Sequence, residues 1–250
     1  MANLSKQYKK QYEWRDWKTA FNAIPNLNDC TVLDIGCAIG DQAQTLAQKG
    51  ARVIGVDKDD SLLEQARKRN IENTTFIKCD VTDLSTLKIS KVDGIWCSFT
   101  TAYFPSLEQQ LDDWMKFLKP TGWLAITEMS GLFDHAPLSE KTKSDIQKYY
   151  QYMFDKNLYD FHMGKNVENA IKALSLKIEK KILLEDKELS ANGALSLDVI
   201  KAWESRLDRM VGLQNFFCDK FKDFQIEFMT CLKNNNHISH CAVYFYLLRV

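Results

Sequence analysis

The sequence predicts an α/β fold in which a mostly parallel sheet carries helices on both faces. Between Thr31 and Glu128, five apolar segments of strand length alternate with segments of helical pattern. A helix between two strands provides the crossover that parallel pairing requires. The alternation stops after Glu128, so the rest of the chain is expected to complete this sheet or to cover it.

The first helix is expected over Leu4–Ile24, where aromatic residues recur at near-helical spacing until Pro25. The five strands are expected at Thr31–Ile35, Arg52–Val56, Thr74–Cys79, Val92–Phe99 and Trp123–Glu128. The helices between them are expected at Asp41–Lys49, from Ser61 to Asn70 and from Ser106 to Leu118, and a turn is expected at Lys119–Gly122. Serine capping boxes open the second and third of these helices.

The second half of the chain is less regular. Residues 130–192 are polar with aromatic patches and are expected to be mostly helical, with one strand near Leu176–Leu184. A long amphipathic helix is expected next, with these residues on one face: Val199, Trp203, Leu207, Met210 and Phe217. Phe224–Leu232 and Cys241–Arg249 are expected as antiparallel closing strands, joined by a polar turn that holds His237 and His240. Either Leu176–Leu184 or Phe224–Leu232 is then the direct partner of the last strand.

These segments predict a single domain with four parts. The parts are a cap helix (1–25), a ligand-binding core (26–129), an inserted lid or substrate region (130–195), and a helix with closing strands (196–250).

Composition favours a protein that works neither on nucleic acid nor at a membrane. The chain holds 33 Lys and Arg against 33 Asp and Glu, so no excess charge attracts a polyanion. The first residues lack the apolar core of a signal peptide, and no run approaches the ~20 apolar residues of a membrane span. A cytoplasmic location is therefore expected. The seven cysteines include no CxxC pair and are expected to be reduced thiols, and no metal site is expected.

Carboxylates follow successive strands of the expected sheet, at the edge where ligands bind in such folds. Asp34 and two glycines, Gly36 and Gly40, lie at the end of the first strand, Asp57 ends the second and Asp80 the third. The glycines allow close approach of a ligand, but the acids Asp34 and Asp41 disfavour a pyrophosphate. Asp57 is placed to accept hydrogen bonds from a ribose, and Asp80 beside an apolar Val81 suits an adenine amine.

The segments DIGCAIG, VIGVDKD, FIKCDV and GIWCSF, in this order, resemble the class I S-adenosylmethionine-dependent methyltransferases, over about Cys30 to Met129. The resemblance implies a Rossmann-like, seven-stranded, mostly parallel sheet with an antiparallel last strand and a helical lid insertion. It implies S-adenosyl-L-methionine as the cofactor, held by these residues: Asp34, Gly36, Ala38, Gly40, Asp57, Lys58, Asp80, Val81 and Ser98. Ala38 departs from the family pattern, which often has glycine there.

The resemblance implies an in-line displacement on the methyl group, which depends mainly on alignment of the reacting atoms. If a protein base is used, His135 just past the fifth strand is the first candidate and Tyr103 the second. Glu128 and His162 are further candidates, and catalysis by proximity without a base is the alternative. Two aromatic groups, one with Tyr8 and Trp17 and one from Tyr149 to Phe161, either enclose the ligands or simply pack in the core.

The function expected is methyl transfer to O, N or C of a small molecule. CSFTTAYF after the fourth strand lacks the motif that activates base amines, and it lacks a metal-binding carboxylate. Alternatives are a methyltransferase acting on a protein and a module that binds S-adenosylmethionine or S-adenosylhomocysteine without catalysis. A nicotinamide-dependent oxidoreductase fits the fold but not the loop.

Overall fold

A seven-stranded sheet lies at the centre of the protein. The structure is a computed structural model and describes the backbone of residues 2–249 and the side chains of residues 7–249. The sheet strands are β1 (Thr31–Ile35), β2 (Arg52–Asp57), β3 (Thr74–Lys78), β4 (Val92–Ser98), β5 (Leu118–Ser130), β7 (Lys177–Leu184) and β9 (Ala242–Arg249). Their order is β3-β2-β1-β4-β5-β9-β7, and β6 (His135–Ala136) pairs separately with β8 (Ile238–Ser239).

The first five strands are parallel, and β9 runs antiparallel between β5 and β7. The predicted fold class is therefore confirmed. Of the two candidate partners for the last strand, the segment near Leu176–Leu184 is the correct one. The order reverses beside β1, where β2 and β4 flank it on opposite sides. At such a switch point the connections leave in opposite directions and open a crevice at the strand ends.

Helices cover both faces of the sheet. They are α1 (Ala2–Trp14), α2 (Trp17–Ala23), α3 (Asp41–Gln48), α4 (Asp60–Lys68), α5 (Leu107–Met115), α6 (Glu140–Asp155), α7 (Met163–Ala173), α8 (Leu197–Arg209), α9 (Val211–Phe217) and α10 (Phe221–Leu232). One buried cluster joins β1 to α2, α3, α6, α8 and α10, and a second cluster on the other face joins the sheet to α5 and α7. No helix in the described part of the chain is long and apolar enough to span a membrane.

The N-terminal segment forms two helices, so the prediction of one helix over Leu4–Ile24 is wrong. Asp16 caps α2 by accepting the N–H of Thr19 at 3.2 Å. Its own N–H donates to the carbonyl of Glu185, and Arg15 turns away to pair with Asp186. Tertiary partners thus break a helix that the aromatic spacing alone would continue. Residues 1 and 250 of the predicted end segments lie outside the described residues.

The segment predicted as a strand at Phe224–Leu232 is the helix α10. Its buried residues include Phe224, Phe228 and Leu232, which are four positions apart, so the helical period overrides the strand-like composition. The expected long helix after residue 196 is two helices, α8 and α9, that meet at Met210. The turn predicted at Lys119–Gly122 lies inside β5, as an irregularity between the paired positions Leu118 and Trp123.

Residues 130–195, predicted as an inserted lid or substrate region, contribute a strand to the main sheet. The segment contains α6, α7 and β7, and β7 is the edge strand of the main sheet. Val167 and Ile171 of α7 are fully buried in the core cluster that includes Leu124 of β5.

The indole ring of Trp123 packs directly against Gly94 in β4, and this contact leads to the first prediction. A Cβ atom at this position would lie 2.1 Å from the indole ring of Trp123, which is itself buried in the neighbouring strand. We expect Gly94→Ala to lower the free energy of unfolding by about 1–3 kcal/mol, because a rigid ring must move. Urea unfolding measures this change.

Gly212→Ala is the matched control for this prediction. Gly212 lies in α9, where a Cβ would meet nothing closer than 3.9 Å. Alanine favours a helix over glycine by about 1 kcal/mol, so this variant should be at least as stable as the parent protein. Equal stability of Gly94→Ala and the parent would contradict the packing constraint.

Candidate functional site

A cleft of about 890 Å³ opens at the carboxyl ends of the parallel strands. Four of the predicted ligand residues line it from consecutive strand ends: Gly36 after β1, Asp57 in β2, Asp80 after β3 and Ser98 in β4. Ala38, Lys58 and Val81 line it as well. The volume lies at the upper end of the range for ligand sites, which leaves room for two small molecules side by side.

The loop between β1 and α3 has a left-handed backbone at each of its small residues. Gly36 has φ +75°, Ala38 +46° and Gly40 +78°. A Cβ on Gly36 would fall 2.2 Å from the hydroxyl of Thr100, so only glycine allows this approach. Gly40 is the N-cap of α3 and does not line the cleft; it sets the direction of the helix.

Asp57 fixes this loop against the end of β2. One carboxylate oxygen accepts the N–H of Ala38 at 2.9 Å, and the other accepts the N–H of Asp59 at 2.9 Å. Each oxygen keeps a further lone pair that can accept a hydrogen bond from a ligand. Asp57 is only partly buried and lines the cleft, so a pair of vicinal hydroxyl groups can reach both oxygens.

Asp80 and Asp41 are both held in place by local contacts. Asp80 accepts the N–H and hydroxyl of Thr82 at 3.0 and 2.8 Å, and these bonds lower the pKa of its carboxyl. Asp41, at the start of α3, pairs with Arg69 at 2.7 Å, and this ion pair partly neutralises the negative charge of its carboxylate. Asp80 remains charged and exposed, and the apolar side chains of Val81 and Leu62 line the cleft beside it.

Asp34 occupies a different place from the one predicted. It is 1 % exposed and does not line the cleft, unlike Asp57 and Asp80. Neither carboxylate oxygen has a hydrogen-bond partner in the described part of the protein. Burial, with the nearby charge of Asp57, raises the pKa of Asp34 to about 8; the backbone N–H of Ala43 approaches the carboxylate without forming a well-aligned hydrogen bond and offsets this rise only in part.

Three residues that line the cleft have a buried polar side-chain atom without a partner among the described residues. The atoms are the hydroxyl of Ser98, the indole N–H of Trp17 and the Nε of Arg206, and the first two belong to residues at the end of β4 or packed against it. A buried polar group without a partner costs free energy, so the atoms of Ser98 and Trp17 fit a ligand that supplies a polar amino-acid portion at the end of β4. Together with Asp57 and Asp80, they form a donor and acceptor set that matches S-adenosylmethionine.

The helix α1 forms the wall opposite the strand ends. Gln7, Tyr8, Gln11 and Tyr12 line the cleft from this helix. Burial raises the pKa of Tyr8, and the charge of Asp57 adds to the effect, which places the phenol close to the β2 end. The sequence leaves open whether the aromatic group of Tyr8, Tyr12, Trp14 and Trp17 encloses the ligands or packs in the core. All but Trp14 line the cleft, and the two glutamines, which carry no distinctive spacing, were missed.

Three arginines that the sequence pattern does not single out line the far side of the cleft: Arg15, Arg206 and Arg209. Arg15 pairs with Asp186 at 2.6 Å and stacks on the ring of Phe99 at 4.2 Å. Arg206 pairs with Glu188 at 2.7 Å. Arg209 donates only to a carbonyl of its own helix, and no acidic side chain of the described residues pairs with it.

His135 lies away from the cleft, and the prediction that it reaches the reacting methyl is not supported. Its ring is buried, contacts the ring of His237 through a 2.8 Å nitrogen–nitrogen hydrogen bond, and meets the carbonyl of Leu132 at 3.2 Å. Burial and the neighbouring His237 lower the pKa of His135 to about 3. The polar turn expected around His237 is present, and its Asn235 and Asn236 are exposed, but His237 itself is buried.

Glu128 is also buried outside the cleft. Its carboxylate accepts hydrogen bonds from the hydroxyl of Thr101 at 2.9 Å and from two backbone N–H groups. Burial raises the pKa of Glu128 to about 7 even so. The residue fastens β5 to the loop after β4, and this loop carries Tyr103 into the cleft.

Of the candidate bases, only Tyr103 lines the cleft. Its ring is 56 % exposed and meets the ring of Tyr159 edge-on at 4.9 Å. Partial desolvation by the surrounding side chains raises the pKa of Tyr103, so the phenol stays protonated at neutral pH. His162 is exposed at the start of α7 and does not line the cleft.

The geometry defines a nucleoside-binding α/β protein with a second, aromatic chamber beside the nucleoside site. The sequence profile of the family described as Methyltransferase domain matches residues 26–189. The chain therefore belongs to this methyltransferase family, and its resemblance to class I S-adenosylmethionine-dependent enzymes is confirmed. S-adenosylmethionine is accordingly the cofactor that the family assigns to the cleft.

Two proteins with assigned activities match shorter parts of this chain. An S-adenosyl-L-methionine-dependent Diels-Alderase, iccD, of Talaromyces variabilis is 33 % identical over 104 residues, 39 % of this chain and 36 % of that protein. A demethylmenaquinone methyltransferase of Clavibacter sepedonicus is 30 % identical over 117 residues, 46 % of this chain and 47 % of that protein. These matches span less than half the length of either relative.

Solved structures share the fold over nearly the whole chain. A crystal structure of an S-adenosylmethionine-dependent methyltransferase from Mesorhizobium loti superimposes with a TM-score of 0.56 at 16 % identity, covering 94 % of this chain and 97 % of that one. At this identity the likeness establishes the fold alone.

The buried acids predict a pH-dependent stability. Asp34 and Glu128 have pKa values near 8 and 7 in the folded chain, against 3.8 and 4.5 without burial. The folded state therefore binds more protons than the unfolded state between about pH 4 and pH 8, and stability falls as pH rises through that window, by at most about 1.4 kcal/mol per pH unit for each group.

Asp34→Asn tests this dependence in the protein without added ligand. The melting temperature of the variant should exceed that of the parent by an amount that grows from about pH 4 to pH 8, because asparagine has no proton to lose. Thermal melts across this range measure the effect. Parallel curves for the two proteins would show that Asp34 is not the group responsible.

The left-handed backbone at Ala38 leads to a second prediction, about the free energy of unfolding. An alanine with φ +46° carries left-handed strain of about 1 kcal/mol that glycine does not. We expect Ala38→Gly to keep or raise the free energy of unfolding, whereas Ala43→Gly, inside α3, should lower it by about 1 kcal/mol. Chemical denaturation compares the two, and equal losses in both would contradict the strain at Ala38.

Proposed function

We propose that this protein transfers a methyl group from S-adenosylmethionine to a small-molecule acceptor by in-line displacement. The observation that carries the proposal is Asp57, whose two oxygens are held by backbone N–H groups and face the cleft beside a glycine loop. The family match supports the same reaction class.

The residues fit the cofactor in a definite arrangement. Asp57 would accept hydrogen bonds from the ribose, and Asp80 would accept one from the adenine amine while Leu62 and Val81 pack on the ring. Ser98 and Trp17 would meet the amino-acid portion with their unpartnered polar atoms. When bound, the cofactor supplies a methyl group on a positively charged sulfur.

The contribution of the protein to the reaction is mainly alignment and exclusion of water. The chamber next to the cofactor site is walled by aromatic and aliphatic side chains: Phe99, Tyr103, Met129, Leu132, Tyr149, Met153, Leu158, Tyr159 and Phe161. Transfer from a cationic sulfur to an acceptor disperses charge in the transition state, so a chamber of low polarity favours it. Rigid aromatic walls also fix the acceptor at one angle to the methyl group.

No histidine lines the chamber in the described part of the chain, and the acids that line the cleft stand on the cofactor side. The Tyr103 hydroxyl is therefore proposed to position the acceptor through a hydrogen bond rather than to remove a proton. This wall favours catalysis by proximity, in which no protein group acts as a base.

A second candidate function keeps the cofactor but not the transfer. The relative from Talaromyces variabilis is named as a Diels-Alderase, and the chamber of this protein offers aromatic walls without a base. Conversion of an acceptor with no S-adenosylhomocysteine formed would favour this role. Methyl-labelled cofactor with a defined library of small molecules, followed by chromatography of both products, separates the two functions.

Asp57→Asn tests the cofactor site directly. The substitution keeps the shape of the side chain but removes the charge and one acceptor, which costs about 1.5–3 kcal/mol for a charged hydrogen bond, or roughly 10- to 100-fold in affinity. Isothermal titration with S-adenosylhomocysteine measures it.

Asp83→Asn is the matched control for this measurement. Asp83 also follows β3, but it caps the short helical turn at Leu84–Thr86 and does not line the cleft. Its substitution should leave the affinity for S-adenosylhomocysteine unchanged. If Asp57→Asn binds S-adenosylhomocysteine as tightly as the parent, the ribose assignment is wrong.

A further inference from the structure

The charges that line the cleft are divided between its two sides. The acids Asp41, Asp57, Asp59 and Asp80 stand at the strand ends, on the cofactor side. The far side, built from the N-terminal helices and α8, presents three arginines to the cleft and no lining carboxylate among the described residues. The two sides therefore present opposite charges to a ligand. The arginine side borders the cofactor site through Trp17, and Arg206 lies within electrostatic range of Tyr103 and Tyr159 of the aromatic chamber.

The arginine charges are not fully compensated. Arg15 and Arg206 are paired with Asp186 and Glu188, whose side chains are completely buried behind them. Arg209 has no acidic partner in the described part, so three guanidinium groups face two carboxylates. The arginines of this side therefore outnumber the carboxylates paired with them by one, and the third arginine, Arg209, is accessible to solvent.

Hydroxyl groups gather around the same positive charge. Burial raises the pKa of Tyr8, Tyr103 and Tyr159, and in each case the guanidinium of Arg206 opposes that rise, which places it within electrostatic range of all three phenols. The guanidinium of Arg209 also opposes the rise in the pKa of Tyr8. Guanidinium and phenol groups are both donors, so together they form a site for the oxygens of an anion.

We propose that the acceptor is a carboxylic acid with an apolar body, that Arg206 and Arg209 bind its carboxylate, and that a carboxylate oxygen is the atom methylated. This inference rests on the proposed methyl transfer and names its substrate class. One uncompensated charge matches the single charge of a carboxylate better than the charge of about −2 of a phosphate monoester. An amine acceptor would add a cation beside the arginines and the sulfonium.

A carboxylate also explains the lack of a base in the chamber. Its pKa in water is near 4, so it is already ionised at neutral pH and has no proton to remove. A lone pair of the carboxylate oxygen forms the new O–CH₃ bond while the S–CH₃ bond breaks and its electron pair stays on sulfur. The negative oxygen and the positive sulfur become a neutral methyl ester and a neutral thioether, and no proton moves.

Binding to the protein loaded with S-adenosylhomocysteine tests recognition without turnover. The probes are phenylacetate, cinnamate and octanoate, each with its neutral primary amide, and phenethylamine as the cation. Ligand-observed NMR and isothermal titration should give at least tenfold tighter binding for a carboxylate than for its amide, and none for the amine. Equal binding of acids and amides, or preference for the amine, would overturn the proposal.

Arg209→Gln locates the anion site. Arg209 is exposed apart from the cleft contact and bonds only to its own helix, so the variant should fold. We expect about tenfold weaker carboxylate binding with unchanged affinity for S-adenosylhomocysteine. Lys201→Gln removes an equal charge from the same helix, away from the cleft, and should change neither. Carboxylate affinity that is the same in Arg209→Gln and in Lys201→Gln would refute the assignment.

The product distinguishes this inference from the proposed function. Methyl-labelled cofactor is incubated with the carboxylate probes, with phenethylamine and with a phenol, and each product is treated with mild alkali. A methyl ester releases labelled methanol, whereas an ether or a methylamine does not. Base-stable product from the phenol or the amine, with none from the acids, would leave methyl transfer intact and refute the carboxylate acceptor.

Discussion

The cleft depends on one side chain that joins two strand ends. The carboxylate of Asp57 accepts the N–H of Ala38 from the loop after β1 and the N–H of Asp59 after β2. Both loops leave strands that lie side by side at the switch point of the sheet. The N–H groups of Gly36 and Cys37 donate to one carbonyl of β2, and Asp57 extends this attachment to Ala38. The same two oxygens that hold the loops together remain open to a ligand, so structure and binding share one group.

Close to this contact lies an acid that is costly to keep ionised. Asp34 has no hydrogen-bond partner within the described residues and sits within range of Asp57, which explains the raised pKa of its carboxyl. A protonated Asp34 removes one negative charge from the end of β1. The negative charge at the cofactor side then comes from the residues that can contact a ligand, and the buried acid adds little to it.

The sequence predicted the parallel part of the sheet well, because alternation of apolar strands and capped helices is a local signal. It also placed Asp57, Asp80 and Ser98 correctly at strand ends, since that follows from strand boundaries alone. It failed at α10, where aromatic residues suit either secondary structure. It failed for His135 as well, because the burial of an imidazole against His237 depends on contacts 102 residues apart in the chain.

The acceptor wall shows why such contacts cannot be predicted from local sequence patterns. Arg15 ends the first helix because Asp186 and the carbonyl of Glu185 hold that point of the chain against the segment after β7. Glu188, two residues on, then orients Arg206 of α8. Buried ion pairs of this kind contribute little net stability but fix the geometry of their partners. The same contacts therefore end the N-terminal helix and place the arginines opposite the strand ends. The opposite charges on the two sides of the cleft result from these contacts.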